Sequence, residues 1–473
     1  MPPLHDDPPD VPVACLQPPH RRDALRDDLT AVPPTPAVPP SAAPPTAGPA
    51  GPDAAAARPV AFRARRVLDI RSGRTIADGV VVCRGDRIEQ VSGQPPADAE
   101  LLDLGDRTLL PGLIDTHTHV LLQGNRTREA YAHQILREDP AHRVVRAVRS
   151  LGVALGHGFT TLRDLGTEGC GYADVAIRDA VAEGVVPGPR LLVAGPAIGR
   201  TGTYPLLGYR SDWRFPVGVA ECEGAEGCRS EVRREIARGV DWIKVYATQG
   251  RGLHLTDDGY LDAPPPWTQA ELDALVDEAH RQGQRVAAHA SEATGTDMAV
   301  AAGVDSIEHG YSIRPATARA MAEHGIALVP TLLVAREVSG NRAAERGSPW
   351  TEVPEVHRRS VENCRQAGVP IVCGTDVGGF EWEDVNQAEE LPILVELGWS
   401  PLEAIQSATL LAARLLQREG QIGELTVGAA ADLAACPGDP LEDIRRVLDI
   451  DVVVRAGRVV VAPPDGLHPV PEA

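Results

Sequence analysis

Residues 109–119 read "LLPGLIDTHTH", an apolar run that ends in two histidines, His117 and His119. On an extended strand, residues two apart put their side chains on one face, so both imidazoles converge. The same pattern recurs along the chain, a short apolar run closing on small or polar residues. It appears in "FTTLRDLG" (159–166), "PRLLVAGP" (189–196), "DWIKVYAT" (241–248) and "RVAAHA" (285–290). It appears again in "DSIEHG" (305–310), "ALVPTL" (327–332) and "PIVCGTDVG" (370–378). Between these runs the hydrophobic period changes to that of helices. One such segment is "TQAELDALVDEAHRQG" (268–283), with Thr268 as N-cap and Gly283 near the C-cap. Eight strand-then-helix units over residues 111–416 predict an α/β fold, a (β/α)8 TIM-like barrel. Such a barrel gathers its functional residues at the C-terminal ends of its strands, where the polar residues of these runs collect. A doubly wound open sheet is the alternative, but no glycine-rich phosphate loop follows the first strand.

On either side of this region the pattern turns to short alternating strands. "AFRARRVLDI" and "GVVVCRGDRIEQVSG", with a Gly-Asp turn, lie within residues 59–110; "ADLAAC" and "DVVVRAGRVVV" lie within residues 417–473. Hairpins from the two ends predict one small β-sandwich domain. Residues 1–58 are rich in proline, alanine and aspartate and predict a disordered tail.

The net charge of −20 and pI near 5.1 argue against nucleic acid or an anionic membrane as partner and point to a small-molecule substrate. No run of 18 apolar residues occurs, and the start "MPPLHDDPPD" has no charged-then-apolar signal pattern, so a cytoplasmic protein is expected. Eight cysteines are scattered. Only Cys222 and Cys228 lie near each other, and their spacing suits no zinc knuckle, so free thiols are expected. Assembly into a homo-oligomer is left open.

Lys244, inside "VDWIKVYA" (240–247), is the only lysine among 46 basic residues. An unpaired ammonium in an apolar strand is costly, and arginine cannot replace a lysine that has to lose its proton. Counted by strand, the polar ends give His117 and His119 on the first, Lys244 on the fourth, His289 on the fifth, His309 on the sixth and Asp376 on the eighth. Four imidazoles, a carboxylate and a lysine at one rim suit two divalent metals per chain, zinc first and other divalent ions next. A buried amine between two metals can take up CO2 as a carbamate, whose two oxygens supply one ligand to each.

At this point the sequence resembles the amidohydrolase superfamily, and within it imidazolonepropionase-like and prolidase-like metal-dependent hydrolases. The resemblance covers roughly residues 60–460 and rests on "LLPGLIDTHTH", "GFTTLRDLG", "GVDWIKVYAT", "AAGVDSIEHG", "LVPTL", "GTDVG" and "GELTVGAAADLAAC". It implies that His117, His119 and Asp376 hold the more buried metal, that carboxylated Lys244 bridges, and that His289 and His309 hold the second. Two departures stand out. "AIGRTGTYPLLG" (197–208) lacks the histidine that many dipeptidase-like relatives carry in a glycine loop, and Ser291 replaces an aromatic residue or histidine.

His254 and Arg251, on the loop after the lysine strand, are candidates for substrate contact, Arg251 as a carboxylate clamp. His157 and His280 read as packing or capping residues, Glu308 as a support of the barrel wall on the face opposite His309, and Arg163 and Asp164 as partners behind the ligands. The expected activity is hydrolysis of a C–N bond in an amide, cyclic amide or small peptide-like molecule. A metal-bridging hydroxide attacks the carbonyl, and Asp376 shuttles the proton. The rivals are a Xaa-Pro-type dipeptidase or an esterase or phosphotriesterase on the same two-metal site. A one-metal deaminase or imidazolonepropionase would lack the lysine. A non-catalytic metal-binding scaffold is the reading from another class.

Overall fold

The computed structural model describes residues 58–203, 210, 212, 215–347, 349–464 and 466–467. The tail expected over residues 1–58 lies outside the described residues except for Arg58. Part of the 197–208 loop lies outside them as well.

The two ends of the chain meet in one hydrogen-bonded sheet. Val60–Asp69, Arg74–Arg84, Arg87–Val91, Glu100–Asp103 and Arg107–Pro111 are joined by Leu433–Pro437, Val452–Arg455 and Arg458–Val461. The seam is the antiparallel pairing of Leu433 with Pro111 through Pro437 with Arg107. The "GVVVCRGDRIEQ" hairpin closes through Gly85–Asp86, with Gly85 at φ 57°. Glycine takes that left-handed backbone without a steric cost. Phe62, Val67, Val81, Leu109, Leu433 and Val454 pack a core of their own. In its hydrogen bonding the expected sandwich is therefore a single eight-stranded sheet.

The parallel strands follow the predicted runs. Leu113–Thr118, Phe159–Asp164 and Arg190–Val193 form a three-stranded sheet. Ala197–Arg200, Trp242–Tyr246, Arg285–Ala290, Ser306–His309 and Ala327–Val329 form another, with Val219–Cys222 added at its edge. The third predicted run, 189–196, gives the strand Arg190–Val193, and a separate strand, Ala197–Arg200, follows it. Gly195 sits at φ 65° and Pro196 has no N–H to give to a ladder, so pairing breaks between the two. Backbone bonds Ala194 N to Asp164 O and Asp241 N to Val193 O still stitch the neighbours together.

The eighth predicted strand, 370–378, is not a regular strand. It makes isolated parallel bridges, Ile371 with Leu328 and Val377 with Thr118. Asp376 at φ 58° turns the backbone out of extended conformation, which ends any ladder there. The segment is nonetheless held on the first strand by Thr116 N to Cys373 O, Asp376 N to His117 O and His119 N to Val377 O. Gly374 permits this approach, since a Cβ there would come within 2.9 Å of His117 Cβ.

The helix Gln269–Arg281 starts at Thr268 with a complete capping box to Glu271. Among the described residues no helix is long and apolar enough to cross a membrane. The seven described cysteines are buried free thiols.

Candidate metal centre

His117 and His119 end the strand Leu113–Thr118 and its continuation. The ring of each is fixed by its Nδ1. His117 Nδ1 lies 2.8 Å from Glu308 Oε2, and His119 Nδ1 lies 2.9 Å from the Gly166 carbonyl. Because a carboxylate and a carbonyl only accept, both Nδ1 atoms carry a hydrogen, and both Nε2 atoms face Asp376. His119 Nε2 is 3.3 Å and His117 Nε2 3.7 Å from Asp376 Oδ1. His309 Nδ1 is 2.8 Å from Thr331 Oγ1. Ligand atoms of His117, His309 and Asp376 all lie within 4.8 Å of one another. His289 completes the group, its ring 4.6 Å from that of His309, itself 5.0 Å from that of His117.

Three non-glycine residues here have left-handed backbone: His309 at φ 69°, Thr331 at 49° and Asp376 at 58°. Such conformations cost free energy and persist where surrounding structure over-determines them. Thr331 illustrates this. It precedes the helix Leu332–Arg346 as N-cap but makes no side-chain cap bond, because its hydroxyl is engaged with His309. The orphaned helix amides of Leu332 and Leu333 donate instead to buried Glu390, at 2.8 and 2.7 Å.

Lys244 is 1% exposed, and its Nζ has no hydrogen-bond partner among the described residues. Burial pulls its amine down to about 8, against the opposing pull of Glu308 and Asp376. Burial, with the Lys244 charge, takes His117 down to about 4 and His289 well below its usual range. Burial and then His289 do the same to His309. His119 goes the other way. Burial would lower it, but the Asp376 carboxylate overrides this and lifts the imidazole to about 9, while its own carboxyl is held well below the ordinary range. At ligand atoms such as these, protons and divalent cations compete for the same lone pairs. The donor set fits metals: imidazoles oriented from behind, a carboxylate, and an orphaned buried amine.

Glu308 is where the sequence reading needs correction. It does not merely support the wall. It accepts from Arg163 Nη2 at 2.9 Å and from Ser306 Oγ at 2.5 Å while holding His117. Burial raises its carboxyl, but Arg163 and His117 bring it down to about 2. Ser306 and Glu308 share the inward face, and His309 joins them only because its left-handed backbone turns the strand end. Asp115, in the middle of the "LIDTHTH" motif, is a residue that the motif alone does not single out. It accepts from the His117 and Thr375 amides at 3.0 and 3.1 Å and from Thr375 Oγ1 and Gln387, locking the first strand to the 370–378 segment. Asp164 Oδ1 accepts from Val120 N at 2.6 Å, just beyond His119.

His254 and Arg251 are not brought into the cluster. His254 lies exposed on a two-residue strand, with Nδ1 3.2 Å from Gly252 O, and Arg251 is exposed. His280 pairs with Asp305 at 2.9 Å, and the His157 amide closes the end of the helix Pro140–Gly156.

Comparison with known proteins gives the same family throughout. The model of the Amidohydrolase family matches residues 108–460. Ochratoxinase of Aspergillus niger is 30% identical over 360 residues, which cover 71% of this chain and 72% of that protein. Among solved structures, a prolidase complexed with N-methylphosphonate-L-proline superposes with a TM-score of 0.75 at 32% identity, covering 85% of this chain and all of the other. A Xaa-Pro dipeptidase with methionine bound in its active site gives 0.75 at 30% identity, with the same coverage. With these neighbours the chain shares a TIM-barrel-like fold carrying an extra domain. A family match across most of the chain, on a fold that gathers histidines and an aspartate at one rim, leads to one conclusion: the chain belongs to the amidohydrolase family and is a hydrolase of carbon–nitrogen bonds.

Proposed function

We propose that His117, His119, His289, His309, Asp376 and a carboxylated Lys244 hold two divalent metals, zinc by preference, and that the enzyme hydrolyses an amide, cyclic amide or small peptide-like substrate. The observation that carries this reading is Lys244. A sole lysine, 1% exposed, stands among four histidines with no hydrogen-bond partner for its Nζ among the described residues. With its amine already depressed toward 8, it can lose a proton, add CO2 through a new N–C bond and release the second proton from that nitrogen, turning a buried cation into a carbamate anion. Bound at this site, divalent metals would supply a water of lowered pKa and polarise the scissile carbonyl. The chain's own residues do the rest. Glu308 and the Gly166 carbonyl keep His117 and His119 in the Nδ1–H tautomer, Thr331 fixes His309, and Arg163 anchors Glu308. Asp376 Oδ1, facing both strand-one histidines, accepts a proton from the attacking water and passes it to the leaving nitrogen.

In this reading the strands close into a (β/α)8 barrel over residues 111–416, with 370–378 as the eighth stave, while 59–110 and 417–473 form the small β domain. A Xaa-Pro-type dipeptidase is the second reading, favoured by the likeness to a prolidase and a Xaa-Pro dipeptidase. The test is a turnover screen of the zinc-loaded chain against N-acyl amino acids, dipeptides with and without a C-terminal proline, and cyclic amides. Hydrolysis of at least one, abolished by a chelator and restored by zinc, is expected. Cleavage confined to esters or phosphotriesters would replace this reading with that alternative.

A further inference from the structure

Cys222 and Cys228 stand six positions apart in the sequence, and the fold brings their sulfurs together. Cys222 ends the strand Val219–Cys222, and Cys228 is the fourth residue of the helix Ala225–Ala237 that follows. Gly224, at φ 69°, makes the turn between them, a left-handed backbone that glycine adopts without steric cost. Both side chains thereby reach one hydrophobic core, where Cys222 Sγ lies 3.6 Å from Cys228 Sγ. The turn is pinned from both sides. Gly224 N donates to Glu271 Oε1 at 2.8 Å, and Thr201 N donates to the Cys222 carbonyl at 3.1 Å.

The other described cysteines behave differently. Burial raises Cys83, Cys364 and Cys436 to about 12, and lifts Cys170 and Cys373 as well, so those thiols stay protonated and inert. Cys228 alone among them is lowered. The Cys222 S–H donates to its sulfur, and the first turn of a helix favours negative charge there, while Cys222, as donor, is raised. Access is one-sided. Cys228 is fully buried, but Cys222 is 7% exposed, between exposed Glu221 and Glu223 on the outermost strand of its sheet. A small oxidant reaches the pair from that side.

We propose that Cys222 and Cys228 are a modification site, a dithiol that hydrogen peroxide or a small organic hydroperoxide closes to a disulfide and a thiol reductant reopens. One sulfur, as thiolate, attacks a peroxide oxygen; the O–O bond breaks and hydroxide leaves, giving a sulfenic acid. The other sulfur then forms the S–S bond and expels that oxygen as water. The two thiols lose two electrons and two protons, and one hydrogen peroxide becomes two waters. The bond fastens the edge strand to the helix behind it. That strand pairs along Ala197–Arg200, whose first residue lies beside Gly166, the carbonyl that holds His119.

The test treats the reduced full chain with a small excess of hydrogen peroxide and reads it by peptide mapping without reduction. A peptide pair joined through Cys222 and Cys228, lighter by about 2 Da than the two thiols, is expected, and dithiothreitol should separate it. Mapping also distinguishes Cys15, which lies outside the described residues. The linked chain should melt a few degrees above the reduced one, since closing a short loop restricts the unfolded state. Cys222→Ala and Cys228→Ala should each abolish both the linkage and the melting shift, and Cys364→Ala should leave them. A gain of about 16 or 32 Da on either cysteine without linkage, a linkage to another cysteine, or two free thiols after treatment would overturn the proposal. A linked chain that melts no higher than the reduced one would overturn the fastening of the strand. Mapping of the parent needs no variant, so a substitution that fails to fold leaves the test intact.

Discussion

The proposed chemistry rests on Lys244 and the side chains around it. Lys244→Arg keeps a positive charge but cannot become a bridging anion, and a guanidinium would repel two cations. Turnover is expected to fall at least about a hundredfold, as when a catalytic metal ligand is lost. Lys244→Ala should be partly rescued by acetate or propionate in steady-state assays, since a short carboxylate can occupy the vacated space. Near-normal turnover in Lys244→Arg would make Lys244 an ordinary cation. Glu308 is the second residue to test. Glu308→Gln fits the same volume but no longer fixes the His117 Nδ1–H as firmly or neutralises Arg163. Zinc affinity, measured by competition with a chelator, should drop about 10- to 100-fold. In the sequence His117, His119, His289, His309 and Asp376 stand out because each lies at or near the end of an apolar run, and Lys244 because it is the sole lysine and sits inside one. Glu308 stays hidden there, because strict alternation from His309 puts it on the other face and only the backbone at φ 69° reverses that.

Elements were legible wherever local chemistry agrees with the fold. The runs at 113–118, 159–164, 242–246 and 285–290 form strands as their apolar patterns require, and Thr268 caps its helix. The run at 370–378 misled because Asp376 gives up strand geometry to face the histidines, and the run at 189–196 forms a strand only as far as Val193, ahead of Gly195 and Pro196. His254 looked well placed because its loop follows the lysine strand, but loop order along the chain says nothing of where a hairpin tip ends up. The helix Leu332–Arg346 carries a prediction of its own. Glu390 takes over its N-terminal amides so that Thr331 can serve His309. Glu390→Ala leaves two buried amides without acceptors and should cost roughly 2 kcal/mol or more in denaturant unfolding. It should also weaken zinc binding, whereas Ala substitution at exposed Glu396 of the neighbouring helix Glu390–Glu396 should do neither.

At the scale of the whole molecule, buried acids shape the response to pH. Burial raises Glu390 to about 8 from 4.5, and raises Asp174 to about 7 and Glu235 to about 8. A carboxyl whose value is higher in the folded state binds more protons when folded, so stability declines as pH rises from near 4.5 toward 8. Melting temperature should accordingly fall across that window, and Glu390→Gln, which cannot titrate, should flatten part of the slope. A melting temperature that rises steadily to pH 8 would contradict this. Glu308, held at about 2, acts in the opposite sense and withdraws its stabilisation only in strong acid. The central claim is a two-metal centre bridged by a modified Lys244, and intact-mass measurement of the metal-loaded chain under mild conditions tests it most directly. With no second lysine to confuse the assignment, only the N-terminal amine competes. One added CO2, about 44 Da, is predicted. It should be lost on acidification and be absent from Lys244→Arg. An unmodified mass for a chain that carries its full metal content and turns over would contradict the account.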